Sequence, residues 1–133
     1  MADIKILNPA RLGTPLGQYS QIARVRASEF LFIAGQVGVA PDGTVAGGFE
    51  EQCAQAFANT LVALESCGAG WTHVVQFTTY VVHSQDIENF MEFRLREFPK
   101  MFPDGKYPPN TLLIVDRLVK EEFLVEVQTI AAI

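Results

Sequence analysis

Six short segments alternate apolar with polar residues or are rich in β-branched residues, and both patterns predict β-strands. These segments span residues 4–7, 21–27, 30–34, 74–82, 111–117 and 123–131. Asn8-Pro9 closes the first strand, and Gly35 is expected to end the third. In the second, Gln21, Ala23 and Val25 share one side, as expected for a strand with one buried face.

Two segments carry apolar residues at helical spacing instead. Residues 49–67 are predicted to form a helix with Cys53, Phe57, Leu61 and Leu64 on one face, and Gly68 is expected to end that helix. The second helix is expected to start at a Ser84 cap and to end soon after Pro99. Its predicted apolar face consists of Ile87, Phe90, Met91, Leu95 and Phe98.

The element order is therefore βββαβαββ, which predicts a single α+β domain over residues 1–133. Both helices follow strands, so they can cover one face of a mixed sheet. The opposite face then stays apolar enough to pack against a neighbouring subunit. Charged residues make up 19% of the chain, below the ~25% usual for a soluble protein, which also favours an oligomer.

The charge balance excludes several classes of partner. Ten Lys+Arg against 15 Asp+Glu give a net charge of −5, so the basic surface of a nucleic-acid-binding protein is absent. The longest uncharged stretch, residues 66–85, contains too many polar residues and glycines for a membrane span. No secretory signal is visible at the first residues, and we expect a cytoplasmic protein.

Most familiar catalytic motifs are missing as well. His73 and His83 flank one predicted strand, and ten residues of strand hold them ~33 Å apart, too far to share a metal ion. Cys53 and Cys67 are placed on one helix, ~21 Å apart, and we expect free thiols that behave as small buried hydrophobic residues. No phosphate-binding glycine loop and no G-x-S-x-G nucleophile motif is present.

A few polar residues in apolar surroundings remain as candidates. Glu126 and Gln128 share one side of the final strand, which is either a solvated face or the wall of a pocket. In a pocket, a partly desolvated carboxylate can orient a water molecule or transfer a proton. Tyr19, beside Gly17, is either an aromatic wall with a hydroxyl group or a half-buried core residue.

Taken in order, several short motifs resemble the Rid family, whose older name is endoribonuclease L-PSP. GQYSQ at residues 17–21 resembles the family's G-P-Y-S-Q segment, and IAGQ at 33–36 resembles the strand that ends in S-G-Q. The helix with Gln52 and Asn59, the stretch TTYVV at 78–82, and VEV at 125–127 follow in family order. The resemblance covers essentially the whole chain.

The resemblance implies a chorismate-mutase-like fold, a homotrimer whose strands form a central barrel, and ligand clefts between subunits. It also implies hydrolysis of reactive enamines or imines to a 2-oxo acid and ammonia, without metal or cofactor. In archetypal members, an arginine in a P-A-R motif holds the substrate carboxylate. A glutamate on the last strand helps to position the attacking water.

This chain departs from that pattern within the site. Asn110 stands where the arginine is expected, Ala34 replaces the serine of S-G-Q, and Leu112 replaces a pocket cysteine. The predicted catalytic residue is Glu126, and the predicted substrate-binding residues are Tyr19, Ala34, Gly35, Asn110 and Leu112. Arg24, Arg26 and Arg117 are possible replacements for the missing guanidinium, although solvated positions suit each of them. A neutral amide predicts a substrate that is uncharged at this position or is held by backbone donors.

Three functions stay open at this stage. The first is a trimeric hydrolase that acts on a small enamine or imine. The second is a non-catalytic trimer that binds a small metabolite in the same cleft, with Glu126 and Asn110 as hydrogen-bonding partners. The third, a ribonuclease, is disfavoured by the acidic charge and by the lack of a histidine pair for acid–base chemistry on a phosphodiester.

Overall fold

A computed structural model describes all 133 residues and has the predicted element order. The elements are β1 (Asp3–Leu7), β2 (Ile22–Arg26), β3 (Phe30–Val37), α1 (Phe49–Ser66), β4 (Val74–Val81), α2 (Asp86–Met101), β5 (Asn110–Ile114) and β6 (Val125–Ala132). The βββαβαββ order and the α+β class predicted from the hydrophobic pattern are confirmed. No helix has the length and apolar character that a bilayer crossing requires.

The main sheet has four strands in the order β3-β6-β4-β5. β6 pairs antiparallel with both β3 and β4, whereas β5 runs parallel to β4, so the sheet is mixed as predicted. The parallel pair is joined by α2, the crossover helix that such a connection needs. β1 and β2 form a separate antiparallel pair.

The core lies between this sheet and the two helices. Phe57 of α1 stacks on Phe93 of α2, with ring centroids 5.5 Å apart and planes at 17°. Phe57 also meets Phe77 of β4 and Phe98 of α2 edge-on. These geometries favour aromatic pairs beyond simple area burial, so one residue of the predicted α1 stripe joins three elements.

Gln52 is a buried polar residue that fastens two loops to α1. Its Nε2 donates to the carbonyl oxygens of Ala46 and Glu122, at 3.2 and 2.9 Å. Its Oε1 accepts the N–H of Leu124 at 2.8 Å. Gly38 passes close to the same side chain, because a Cβ at that position would approach Gln52 Cβ to 2.6 Å. The amide thus fixes the chain directly before β6.

The third and fifth strands differ in length from the prediction. β3 does not end at Gly35 but continues to Val37, because its register with β6 shifts between Ile33 and Gln36. A bulge of this kind absorbs an extra residue without ending the strand. β5 ends at Ile114, and Arg117 instead pairs with Glu121 in the following turn.

The second helix differs at both ends and along its apolar face. Gln85 precedes the first turn, and the predicted Ser84 side-chain cap is wrong, because Ser84 accepts the Ile87 N–H only through its carbonyl oxygen. Pro99 lies inside the last turn, and the helix continues to Met101.

The predictions that Leu95 and Cys67 are buried are also wrong. Leu95 is 63% exposed, whereas Arg94 beside it is 2% exposed. Cys67 follows the last turn of α1 and is exposed, while Cys53 is buried. Both cysteines are free thiols, as predicted.

The role of Gln52 predicts a large stability loss on its removal. Gln52→Leu leaves three partly buried backbone groups without their hydrogen-bond partner, and a fully buried group in that position costs about 1–3 kcal/mol. We expect the free energy of unfolding in urea to fall by at least about 2 kcal/mol. The matched control Gln85→Leu changes an exposed glutamine that makes no cap bond, and it should shift the value by less than about 0.5 kcal/mol. Equal effects of the two substitutions would contradict the role given to Gln52.

Candidate functional site

Strand register divides the predicted site residues between the two faces of the sheet. Directly paired residues on neighbouring strands point to the same face. Phe77 and Thr79 of β4 are fully buried beneath the helices, which defines the helix face. Asn110 pairs with Phe77 and Leu112 with Thr79, so both predicted binding residues of β5 lie on the helix face.

Glu126 lies on the opposite face, here called the outer face. It pairs with Tyr80 of β4 and with Val37 of β3, while Val125 and Val127 on either side of it are buried beneath the helices. The predicted alternation along the last strand is confirmed. The Tyr80 hydroxyl extends along the same face and bonds to Gln128 Oε1 at 3.1 Å.

The Glu126 carboxylate sits directly over the backbone of Gly35. A Cβ at Gly35 would collide with Glu126 Oε2, so only glycine admits the carboxylate here. Gly35 and the exposed Ala34 both belong to the β3 bulge, which turns the backbone toward the carboxylate. Burial raises the pKa of Glu126, and no hydrogen bond from the protein offsets that effect. Glu126, Gly35 and Ala34 therefore form one half of the candidate site.

Asn110 makes up part of the other half. Its Oδ1 accepts the Thr79 hydroxyl at 3.0 Å, while its Nδ2 is buried and has no hydrogen-bond partner. Leu112, two residues further, packs against the edge of the core. The pair offers one uncommitted neutral donor next to an apolar side chain.

The loop with Tyr19 lies against this second half. The Tyr19 hydroxyl accepts the N–H of Leu16 at 3.2 Å, and the N–H of Ser20 donates to the Pro108 carbonyl oxygen at 3.4 Å. That second bond joins the loop to the segment that leads into β5. Tyr19 is half-buried, and the Arg94 guanidinium lies 5.4 Å from the centre of its ring.

Arg94 is the residue that the sequence analysis missed. None of the three arginines considered there is buried: Arg24 and Arg26 are exposed on β2, and Arg117 bonds to Glu121. The available signal was spacing, because Phe90, Arg94 and Phe98 recur every four residues on the buried side of α2. Hydrophobicity alone favoured Leu95 for that face.

The two halves cannot meet within one chain. Asn110 and Leu112 point into the helix layer, whereas Glu126 points out of the opposite side of the sheet. The outer face is also unusually apolar for an exposed surface: Phe32 is 77% exposed, Phe30 48% and Leu113 43%. A single site that contains both Glu126 and Asn110 thus requires two copies of the chain.

Comparisons with known proteins agree with the motifs. A family model described as endoribonuclease L-PSP matches residues 10–133. A RutC family protein of Aquifex aeolicus is 32% identical over 118 residues, covering 88% of this chain and 90% of the relative. A 2-iminobutanoate/2-iminopropanoate deaminase of Homo sapiens is 29% identical over 101 residues, covering 74% of this chain and 72% of the relative.

A solved structure extends the likeness to the fold. YyfB of Yersinia pestis, described as a conserved Rid-family protein of unknown function, superposes with a TM-score of 0.87 at 24% identity, over 98% of each chain. Because the family model spans almost the whole sequence, the chain belongs to the endoribonuclease L-PSP family, the Rid family that its motifs resemble.

Proposed function

We propose that this protein hydrolyses a small enamine or imine in a cleft between subunits of a homotrimer, without a metal ion or cofactor. The observation that carries this proposal is the partly desolvated Glu126 carboxylate over Gly35. It lies on a sheet face that also exposes large apolar side chains. The name of the human relative, an imine deaminase, supports the same reaction class.

The reaction requires little beyond a positioned water. Glu126 accepts a hydrogen bond from water, whose oxygen attacks the carbon of the C=N bond while the nitrogen gains a proton. The tetrahedral adduct then loses ammonia, leaving a carbonyl group; an enamine first takes a proton at carbon to become the imine. Partial burial raises the pKa of Glu126, which makes its carboxylate a stronger base for this proton exchange.

The separation of the two halves supports an oligomer, and the trimer is the assembly that the family resemblance implies. In the proposed trimer, the outer faces pack together and bury Phe30, Phe32 and Leu113, which are exposed in the single chain. Glu126 of one subunit then lies near the β5 edge of the next. Asn110 then supplies a neutral donor where archetypal members carry an arginine, so Asn110 itself offers no positive charge to the substrate. The alternative function, binding of a metabolite without turnover, uses the same cleft.

Loss of the Glu126 charge tests the catalytic role. Glu126→Gln is expected to lower turnover of 2-iminobutanoate, generated in situ and followed by ammonia release, about 100-fold or more. The control Glu122→Gln removes an exposed carboxylate four residues earlier and should leave turnover unchanged. Turnover by Glu126→Gln at the wild-type rate would place the chemistry elsewhere, and a wild-type protein that only binds would favour the alternative.

The raised pKa of Glu126 predicts a pH-dependent stability difference. The folded state binds this proton more tightly than the unfolded state, so burial of the ionised carboxylate lowers stability as pH rises through the folded pKa. Glu126→Gln should therefore unfold at a higher temperature than wild type at pH 7. The gap should close as pH falls below the ordinary glutamate range near 4. A gap that widens toward acid pH would contradict the assignment.

The outer face as subunit interface is tested by placing a charge on it. Phe32→Asp should convert a trimer of about 44 kDa into monomers of 14.7 kDa, measured by light scattering after gel filtration, and should abolish turnover. Val62→Asp is the matched control, since Val62 is 66% exposed but lies on α1, on the other side of the sheet. A trimeric, active Phe32→Asp protein would rule out this interface.

A further inference from the structure

Arg94 is a buried cation held among neutral groups. Its guanidinium lies 5.4 Å from the ring centre of Tyr19 and 5.2 Å from that of Phe90. Nη2 contacts Met91 Sδ at 2.9 Å, which is its one hydrogen-bond partner in the protein, and Nε is buried without any partner. Two aromatic faces and a thioether stabilise a cation only modestly.

No carboxylate compensates the charge. Arg94 takes part in none of the ion pairs of the chain, which join Arg96 and Lys100 to glutamates on the helices and Arg117 to Glu121. The other buried charged residue, Asp86, lies eight residues earlier on α2, about 12 Å along the helix. Its Oδ1 bonds to Asn89 instead. Burial accordingly lowers the pKa of Arg94.

A buried charge without a partner destabilises the folded protein, and a bound anion compensates such a charge. The surroundings of Arg94 point to an outside anion. Gly17 brings the loop backbone so close that a Cβ would come within 3.0 Å of Nη2, so the loop folds tightly over the guanidinium. That loop also holds Tyr19 and is tied through Ser20 to the segment before Asn110.

We propose that Arg94 binds the carboxylate of the ligand, so that the site takes a small 2-imino or 2-oxo acid. The Nε–H has no partner in the protein and can donate a charge-assisted hydrogen bond to a carboxylate oxygen. The inference rests on the proposed function for the type of reaction. It adds that the positive charge that binds the carboxylate comes from Arg94 on α2. The positive charge absent at Asn110 is therefore supplied from the helix, and the substrate is an anion despite the neutral residue on β5.

Binding of 2-oxobutanoate, the product expected from 2-iminobutanoate, tests this assignment without requiring turnover. Arg94→Met removes the charge and keeps an unbranched apolar side chain, and it should raise the dissociation constant for 2-oxobutanoate about 10- to 150-fold. Binding of the uncharged analogue butanone should change less than about twofold. Arg94→Lys, which keeps the charge but loses the planar donor pair, should lie between wild type and Arg94→Met.

The matched control is Arg96→Met. Arg96 lies on the same helix, is about half exposed and pairs with Glu97, so its removal should leave 2-oxobutanoate binding unchanged. Equal affinity of Arg94→Met and wild type would overturn the assignment. Loss of the trimer in Arg94→Met would also overturn it, since the cation would then be compensated by an acid of a neighbouring copy.

If Arg94→Met fails to fold, NMR of the wild-type protein tests the same assignment. With ¹⁵N-labelled arginine, the wild-type Arg94 Nε–H resonance should shift on addition of 2-oxobutanoate and stay fixed with butanone. Arg94→Lys identifies that resonance among the six arginines. An Arg94 Nε–H chemical shift that does not change on addition of 2-oxobutanoate would refute the assignment. Binding through Arg94 without imine hydrolysis would refute the proposed reaction but uphold this inference.

Discussion

Side-chain alternation along β5 and β6 is the constraint on which the account of this protein depends. Successive residues of a strand point to opposite faces of the sheet. The register of the β3-β6-β4-β5 sheet therefore fixes the face on which each side chain lies. Glu126 is held on the outer face and Asn110 on the helix face. The family resemblance implies that these two positions act in one site, but within one chain they lie on opposite faces of the sheet. A site that uses both positions therefore requires a second copy of the chain.

The electrostatics of the two halves are complementary. The outer half offers a carboxylate in a partly desolvated position, and the helix half offers a guanidinium without a counter-charge. Each is unfavourable in an isolated chain, because desolvated charges gain stability only from a partner. The proposed ligand, with a carboxylate at one end and an electrophilic carbon at the other, offers a partner to each half. In the proposed arrangement Asn110 need not be charged, because Arg94 supplies the positive charge.

The sequence predicts the strands, both helices and their order because alternation and helical spacing are local properties. It also places Glu126 opposite Val125 and Val127. The extension of β3 through Gly35 was missed because the bulge depends on pairing with β6, a partner about 90 residues away in the chain. Arg94 was missed for a different reason. Hydrophobicity assigned Leu95 to the core, whereas the four-residue spacing of Phe90, Arg94 and Phe98 decided which side chain is buried.

The most direct test of the two-copy site is complementation between two impaired variants. Glu126→Gln and Arg94→Met are unfolded together in equal amounts, refolded as mixed trimers, and assayed for hydrolysis of 2-iminobutanoate. If each site takes Glu126 from one subunit and Arg94 from the next, about one quarter of the sites in the mixture recover both residues, and about one quarter of the wild-type activity returns. Activity no higher than the average of the two parents would show that both residues serve the same site from one chain, and it would contradict the account.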